Sequence, residues 1–405
     1  MTSNYDICIV GGCGHVGLAM GISFAGQGKQ VVLYDIDGDA VEAVNAGNMP
    51  FMEEGGEEAL KRVLKNQKLV ATTDVRMLTL ASAVVLVFGT PVDEHLNPQT
   101  DKFMATIREI EGSLRGDQLL VLRSTLYPGM TEKIQSYLRG KGKQTLVAYC
   151  PERILEGQAL TEIHKIPQII GGCSAAANES ASELFGLLTE NIIVTGPTEA
   201  EMAKLFTNAQ RYINFAISNQ FYMIADSHGL DFNEIYRAMV EDYPRLKSFS
   251  RAGFAAGPWL FQDTMQLTAF SGNNFFLGHS AMLVNEGMPD YIVQRLKEAY
   301  DLSQSRVGIL GMAFKPNIDD PRESLSYKLK KKLEIEAREV LCHDPYIKGR
   351  NFASLEEIHK RADIVVVATP HQVYSKEEWS GKALVDIQDF YSLHAAMNNL
   401  SMEQK

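Results

Sequence analysis

Six residues near the N-terminus and one acid beyond them carry the first chemical signal of this chain. Gly12-Cys13-Gly14-His15-Val16-Gly17 follows the apolar run Ile7-Cys8-Ile9-Val10 and opens a helical pattern, and Asp35 closes the next β-branched run. Glycines in this spacing permit a tight turn and the close approach of a pyrophosphate to the helix N-terminus, whose free N–H groups and dipole favour an anion. A carboxylate ~20 residues further on accepts hydrogen bonds from an adenosine ribose. Strand, glycine loop, helix and acid in this order point to a dinucleotide, with Gly12, Gly14, His15, Val16, Gly17 and Asp35 as its contacts. An acid at the ribose favours NAD, because the 2′-phosphate of NADP would be repelled.

A second set of polar residues is placed where a ligand could meet it. Lys204 and Asn208 are one helical turn apart and project from one face, which Arg211 extends. Taken alone, such a pair reads first as an exposed helix face with lysine in water. Glu152 follows a strand end, at the edge where open α/β sheets bind ligands. Lys315 and Arg322 flank a turn after another strand-like run. Both suit phosphate oxygens, the lysine as a point charge and the arginine as a fork. Lys330-Lys331-Lys332, on an amphipathic helical pattern, reads as a solvated face.

The elements that must position these groups fall into three stretches. Short β-branched runs alternate with helical patterns through Asp6–Val10, Gln30–Tyr34, Ala83–Phe88, Gln118–Leu122, Thr145–Tyr149 and Asn191–Val194. That alternation predicts a parallel, doubly wound sheet. From about Thr198 to Tyr300 helical spacing dominates, and Glu201–Gly229 predicts one helix of some 25 residues. Arg306–Leu310, Arg338–Cys342, Ile364–Ala368 and Ala383–Ile387 then predict a second, smaller parallel sheet, with Asp344 echoing Asp35 after its second strand. The expected fold class is α/β: two Rossmann-like doubly wound parallel-sheet domains, 1–197 and 301–405, joined by a long-helix central domain, 198–300.

Composition narrows the function classes. A chain of 405 residues exceeds one ordinary core, and 45% apolar residues is a globular proportion. A formal net charge of −11 argues against a general nucleic-acid binder. Apolar runs stay well below the ~20 residues of a membrane span, and the first is too short for a signal peptide. The five cysteines, Cys8, Cys13, Cys150, Cys173 and Cys342, lack metal-ligand spacing. No metal is expected, and a reduced, cytoplasmic protein is.

Ordered blocks along nearly the whole chain resemble the nucleotide-sugar dehydrogenases of the UDP-glucose/GDP-mannose family. These are Gly12–Gly17, Leu69–Asp74, Gly89-Thr90-Pro91, Arg123-Ser124-Thr125 with Pro128-Gly129, Cys150-Pro151-Glu152-Arg153, Glu201–Asn208, and Phe314–Asn317 with Asp319–Ser324. The resemblance implies an NAD domain, a dimer-forming helical middle and a UDP domain, with a UDP-sugar as substrate and a homodimer through the central helices. It implies that Lys204 and Asn208 lie against the reacting sugar carbon. Thr125 and Glu152 would position water or move a proton, and Asp263 would act in acid/base support. It further places Thr90, Pro91, Thr125 and Arg322 with the cofactor. Glu152, Arg153, Arg245, Gly257 and Lys315 would then meet the substrate, Arg245 reaching into the partner subunit's site.

One block departs from the family. Gly253–Thr264 is similar to the active-site loop of the UDP-glucose and UDP-N-acetylmannosamine enzymes, but Trp259 stands where their thiol traps a sugar aldehyde. Gln262 replaces the lysine usual before the aspartate, and Gln220 a common glutamate. An indole forms no such adduct, so the thiol route to a uronic acid is not expected. Cys150 reads as structural rather than as a substitute. The remaining groups suffice for one alcohol-to-carbonyl hydride transfer on a UDP-linked hexose or N-acetylhexosamine. Trp259 would cover the sugar ring or fill the slot for its C6. A redox-neutral NAD-using epimerase, and a non-catalytic homologue that binds NAD and UDP-sugar, are the alternatives.

Overall fold

The computed structural model describes residues 5–89, 99–254, 257–349 and 351–392. They form two compact units, Met1–Thr207 with Met265–Gly272, and Asn208–Thr264 with Asn273–Lys405.

The first unit is built on eight strands: β1 (Tyr5–Val10), β2 (Val31–Tyr34), β3 (Leu69–Thr72), β4 (Ala81–Leu86), β5 (Leu119–Leu122), β6 (Leu146–Tyr149), β7 (Gln168–Gly172) and β8 (Ile192–Thr195). Their order is β3-β2-β1-β4-β5-β6-β7-β8. Each neighbouring pair is parallel except β6 with β7. Strands covered on both faces read as continuous apolar runs, and β5 (Leu-Leu-Val-Leu) is buried throughout. Alternate residues feed two cores, Ile7, Ile9, Leu33, Val85 and Val121 on one face, Cys8, Val10, Val84, Leu86 and Leu122 on the other.

All six expected strands of this half are present, and β3 and β7 are additional. β3 is a short edge strand with one exposed residue, and β7 ends in two glycines.

In the second unit β9 (Arg306–Leu310), β10 (Glu339–His343), β11 (Ile364–Val367) and β12 (Ala383–Val385) form a parallel sheet ordered β10-β9-β11-β12. This is the second sheet expected from the sequence. Val307, Ile309 and Val366 pack with Leu329 and Leu333 of the helix Leu325–Glu336. The long helix spans Pro197–Ser227, 31 residues, and begins earlier than its apolar period because proline at the first helical position costs no hydrogen bond. It stops before Gly229, whose φ of +68° ends the helical run. Three further α-helices, Phe232–Val240, Pro258–Phe270 and Phe276–Ala299, follow it among the described residues. Among the described residues no helix is long and apolar enough to cross a membrane.

Candidate active site

The glycine loop is tied to the sheet before it meets any ligand. Gly11 and Gly12 donate to the Tyr34 carbonyl at 2.9 and 3.1 Å. A methyl group on Gly17 would lie 2.4 Å from the Gly11 oxygen and 2.8 Å from the Gly12 Cα, so only glycine lets the helix His15–Gly26 approach the loop. Gly12 is equally confined, 2.7 Å from Leu33 Cβ.

Gly14 differs. Its φ of −80° suits any residue, a Cβ there would find its nearest neighbour at 3.6 Å, and the position is exposed. Packing gives no reason for glycine here, whereas the close approach of a phosphate does. The helix it opens has no side-chain cap and no acid in its first turn, which leaves its N-terminal N–H groups for an anion.

Asp35, half-buried, accepts from the Cys13 N–H at 2.9 Å and the Asp37 N–H at 3.2 Å, so the expected ribose acid also braces the loop. These residues fit NAD. His15 stacks on Phe51 with ring centroids 4.0 Å apart and sits 2.9 Å from Glu156, while Val16 is half-buried behind it. Thr90 and Pro91 lie outside the described residues.

The face of the long helix is buried, not solvated. Lys204 and Asn208 are 8% and 5% exposed, unusual for such groups unless other polar atoms receive them. Asn208 Nδ2 donates to Asp263 Oδ2 at 2.6 Å, joining two candidate residues 55 positions apart. Arg211, expected to extend this face, is exposed.

Glu201, which sequence reasoning passed over, is fully buried one turn before Lys204. It accepts from the Gly129 and Thr131 N–H groups at 2.6 and 2.8 Å, and from the Thr131 hydroxyl. It thereby fixes the end of the loop that carries half-buried Thr125. The sequence signalled it only as the first residue of the Glu201–Asn208 block, with no role attached.

Glu152 is fully engaged. Arg123, 2% exposed, donates from Nε to its Oε2 at 2.6 Å, and Oε1 accepts from the Arg153 and Ile154 N–H groups at 2.6 and 2.7 Å. Arg123 is held in turn by Gln168 at 2.8 Å and the Cys150 carbonyl at 3.2 Å. The Arg153 side chain bonds the Pro167 carbonyl. Burial pushes the Cys150 thiol up to about 12, which leaves it protonated and inert, in keeping with a structural role.

In the second unit Trp259 begins the helix Pro258–Phe270 and is partly exposed, with the Arg322 guanidinium carbon 5.4 Å from its ring centroid. Asp320 grips Arg322 through Nε contacts of 2.9 and 2.8 Å, so the cation is fixed rather than swinging. Gly257, with φ +113°, would drive a Cβ to 2.9 Å from the Phe314 ring, and Lys315 follows that ring, half-buried. Arg245 is exposed and turned to its neighbour Tyr243, donating to the hydroxyl at 3.2 Å.

The echo between Asp35 and Asp344 is real in backbone terms and different in chemistry. Asp344 Oδ2 accepts from the Met312 and Ala313 N–H groups at 2.7 and 3.0 Å, as Asp35 does from Cys13. Its other oxygen takes the Tyr346 and Ile347 N–H groups, both at 2.9 Å. Buried His371 adds a 3.0 Å bond from Nε2, because its Nδ1 accepts from the Asn317 N–H at 2.9 Å. Burial alone would raise the Asp344 carboxyl, but the His371 bond and the backbone donors of Ile347 and Met312 prevail and hold it at about 2.

A depressed carboxyl contributes stability that is complete above its unfolded value near 4 and fades as pH falls through the folded value. About 2 kcal/mol is therefore expected to disappear between pH 4 and 2, and Asp344→Asn to be less stable than wild type at pH 6 but to approach it at pH 2. Both tryptophans, Trp259 and Trp379, lie in this unit, so their fluorescence in denaturant titrations reads the difference. A gap that stays constant with pH would contradict this account.

Family models match the chain in three consecutive parts. Residues 5–189 match the NAD binding domain of the UDP-glucose/GDP-mannose dehydrogenase family, 198–286 its central domain, and 308–392 its UDP binding domain. The UDP-N-acetyl-D-mannosamine dehydrogenase of Pyrococcus horikoshii is 30% identical over 92% of each chain. The chain belongs to the UDP-glucose/GDP-mannose dehydrogenase family. It is an oxidoreductase of that family and uses NAD. The NDP-N-acetyl-D-galactosaminuronic acid dehydrogenase of Ralstonia nicotianae is 28% identical, covering 94% of this chain and 95% of the relative. Among solved structures, a UDP-D-ManNAc dehydrogenase from Pyrococcus horikoshii superposes with TM-score 0.88 at 28% identity, over 95% of this chain and 100% of that one. A UDP-glucose dehydrogenase from Pyrobaculum islandicum gives 0.89 at 27% identity, over 96% and 95%.

Proposed function

We propose that this family member oxidises a UDP-linked hexose or N-acetylhexosamine by a single hydride transfer, alcohol to aldehyde or ketone. What carries the reading is Trp259, which we align with the thiol position of the family loop, together with the polar residues Lys204, Asn208, Asp263, Thr125 and Glu152 kept in the sequence. NAD bound at the Gly12–Gly17 loop supplies hydride acceptance. Lys204 stabilises the developing alkoxide, a task favoured by its burial, since charge interactions strengthen away from water. Asn208 and Asp263, joined by their 2.6 Å bond, hold the reacting edge of the sugar, and Asp263 receives the proton.

Glu152 has its oxygens occupied by Arg123 and two backbone N–H groups, so we read it as positioning the Cys150–Arg153 turn for Thr125 and Arg153 rather than as the base. Trp259 covers a pyranose face with the part of its ring that Arg322 leaves open, and Lys315 and Arg322 face phosphate oxygens. The domain roles follow the division 1–197 for NAD, 198–300 for the reacting centre and 301–405 for UDP.

Exposed Ile217, Phe221 and Ile224 recur at helical spacing on the long helix, and Phe276, Leu277 and Leu283 are exposed on the helix Phe276–Ala299. Apolar faces of this kind call for a cover, and we assign it to a second copy of the chain, with Arg245 reaching the partner's site.

The test incubates the protein with NAD and a panel of UDP-sugars, following absorbance at 340 nm and product mass. One NADH per sugar and a product two hydrogens lighter are expected. A carboxylate product would overturn the reading of Trp259. An isomer formed without net NADH would replace the oxidase with an epimerase.

A further inference from the structure

Gly253 and Asp263, on either side of Trp259, are each bonded to one helix, and one of these two anchors uses residues to which no role has been assigned. At its start, the Gly253 N–H donates to Asn219 Oδ1 at 2.8 Å. Asn219 Nδ2 donates to Asn285 Oδ1 at 2.9 Å, and Asn285 Nδ2 donates to the Tyr212 carbonyl at 3.0 Å. Both asparagines are fully buried. Beyond Trp259, in the second turn of the helix Pro258–Phe270, Asp263 accepts from Asn208. Asn208 and Asn219 lie eleven positions apart, close to three turns at ~3.6 residues per turn, so both leave the same face of the helix Pro197–Ser227.

The relay has a fixed sense. Each amide oxygen faces an N–H and each amide nitrogen faces an oxygen, so rotating either amide would set oxygen against oxygen or N–H against N–H in a site without water access. A buried amide chain of this kind has one satisfied arrangement. Gly253 also requires that arrangement, because its φ of +148° is open only to glycine and places its N–H toward the helix.

We propose that Asn219 and Asn285 are positioning residues for the active-site loop. Through Gly253 they set where the loop leaves the long helix, as Asn208 through Asp263 sets where it returns, and the two anchors together fix the height of Trp259 along that helix. Asn285 touches no loop residue in the relay, so its effect travels through Asn219. The restraint rests on the hydrogen bonds alone. Its bearing on catalysis rests on the functional reading above.

Amide hydrogen exchange on the full-length protein separates the two. In wild type the Gly253 N–H is protected. In Asn219→Ala, which removes its acceptor, and in Asn285→Leu, which keeps the branched shape but removes the amide one step away, its exchange is expected to quicken at least ~10-fold, while amides of β9 keep their wild-type rates. Unchanged Gly253 exchange in Asn285→Leu overturns the relay, and a uniform rise that includes β9 reduces it to general stability. With an active UDP-sugar, Asn285→Leu is expected to lower kcat ~10-fold at an unchanged KM for NAD, because only the sugar-side loop is misplaced. Equal loss in both constants, or in neither, overturns the positioning role. A wild-type protein without turnover would count against the functional reading and leave the exchange rates to decide the relay.

Discussion

Gly17→Ala will abolish NAD binding and Gly14→Ala will weaken it, for different physical reasons that thermal melting separates. At position 17 the added methyl would stand 2.4 Å from a backbone oxygen and 2.8 Å from a backbone Cα, neither of which can move without shifting the helix from the loop. Overpacking of that kind costs ~1–3 kcal/mol or more and displaces the N–H groups that receive the pyrophosphate, so a loss of affinity beyond ~100-fold accompanies a lower Tm. At position 14 the methyl meets nothing closer than 3.6 Å, so the Tm should hold. The methyl would instead stand where the phosphate must approach, and a loss of ~10-fold or more is expected. Titration calorimetry with NAD and differential scanning calorimetry measure the pair. A Gly14→Ala protein with wild-type NAD affinity would remove the ligand from this loop.

Introducing a thiol at position 259 will change the product. In Trp259→Cys with Gln262→Lys, a thiolate at the head of the helix Pro258–Phe270 can add to the sugar aldehyde and form a thiohemiacetal. Loss of a second hydride then gives a thioester, and water cleaves it to a carboxylate and the free thiol. The NADH formed per sugar should rise from one to two, and the product mass should become that of the acid. Trp259→Ala serves as the control, because it opens the same space without supplying a nucleophile and should remain at one NADH. If the double variant also stops at one, the missing thiol is not what limits the oxidation, and a carbon other than the one a thiol could reach is reacting.

The order of elements was legible because it is written at short range. Ile7–Val10, Gly12–Gly17 and Asp35 contain within a few dozen residues the strand, turn and acid of a dinucleotide site, and the structure forms them as read. The four strands of the smaller sheet were legible for the same reason, as apolar runs between polar turns. β3 and β7 were not, since a short edge strand and a strand ending in Gly171-Gly172 are held by pairing with neighbours rather than by their own composition.

The candidate site divides along the same line. Residue types and spacing gave Lys204, Asn208 and Glu152 as groups of interest, and the family resemblance added Asp263 and Trp259, but nothing local could say that Glu152 would be gripped by buried Arg123, 29 positions earlier. Nor could spacing distinguish Asp35, which keeps part of its surface open beside the loop, from Asp344, whose oxygens are filled by backbone N–H groups and by His371. The two acids occupy the same place after a second strand, and only their surroundings leave one partly open beside the glycine loop and make the other a buried brace.

By itself the sequence determined the alternation of strands and helices, the glycine loop with its acid, and the side chains present in the loop around Trp259. Those are properties of neighbours in the chain, set by backbone sterics and by periods of two and 3.6 residues. The tertiary structure decided the burial of Lys204, the pairing of Asn208 with Asp263 across 55 positions, and the relay from Gly253 through Asn219 to Asn285. Burial and hydrogen-bond direction depend on which distant surfaces meet, and a polar side chain acquires its role only when that packing has removed water from it.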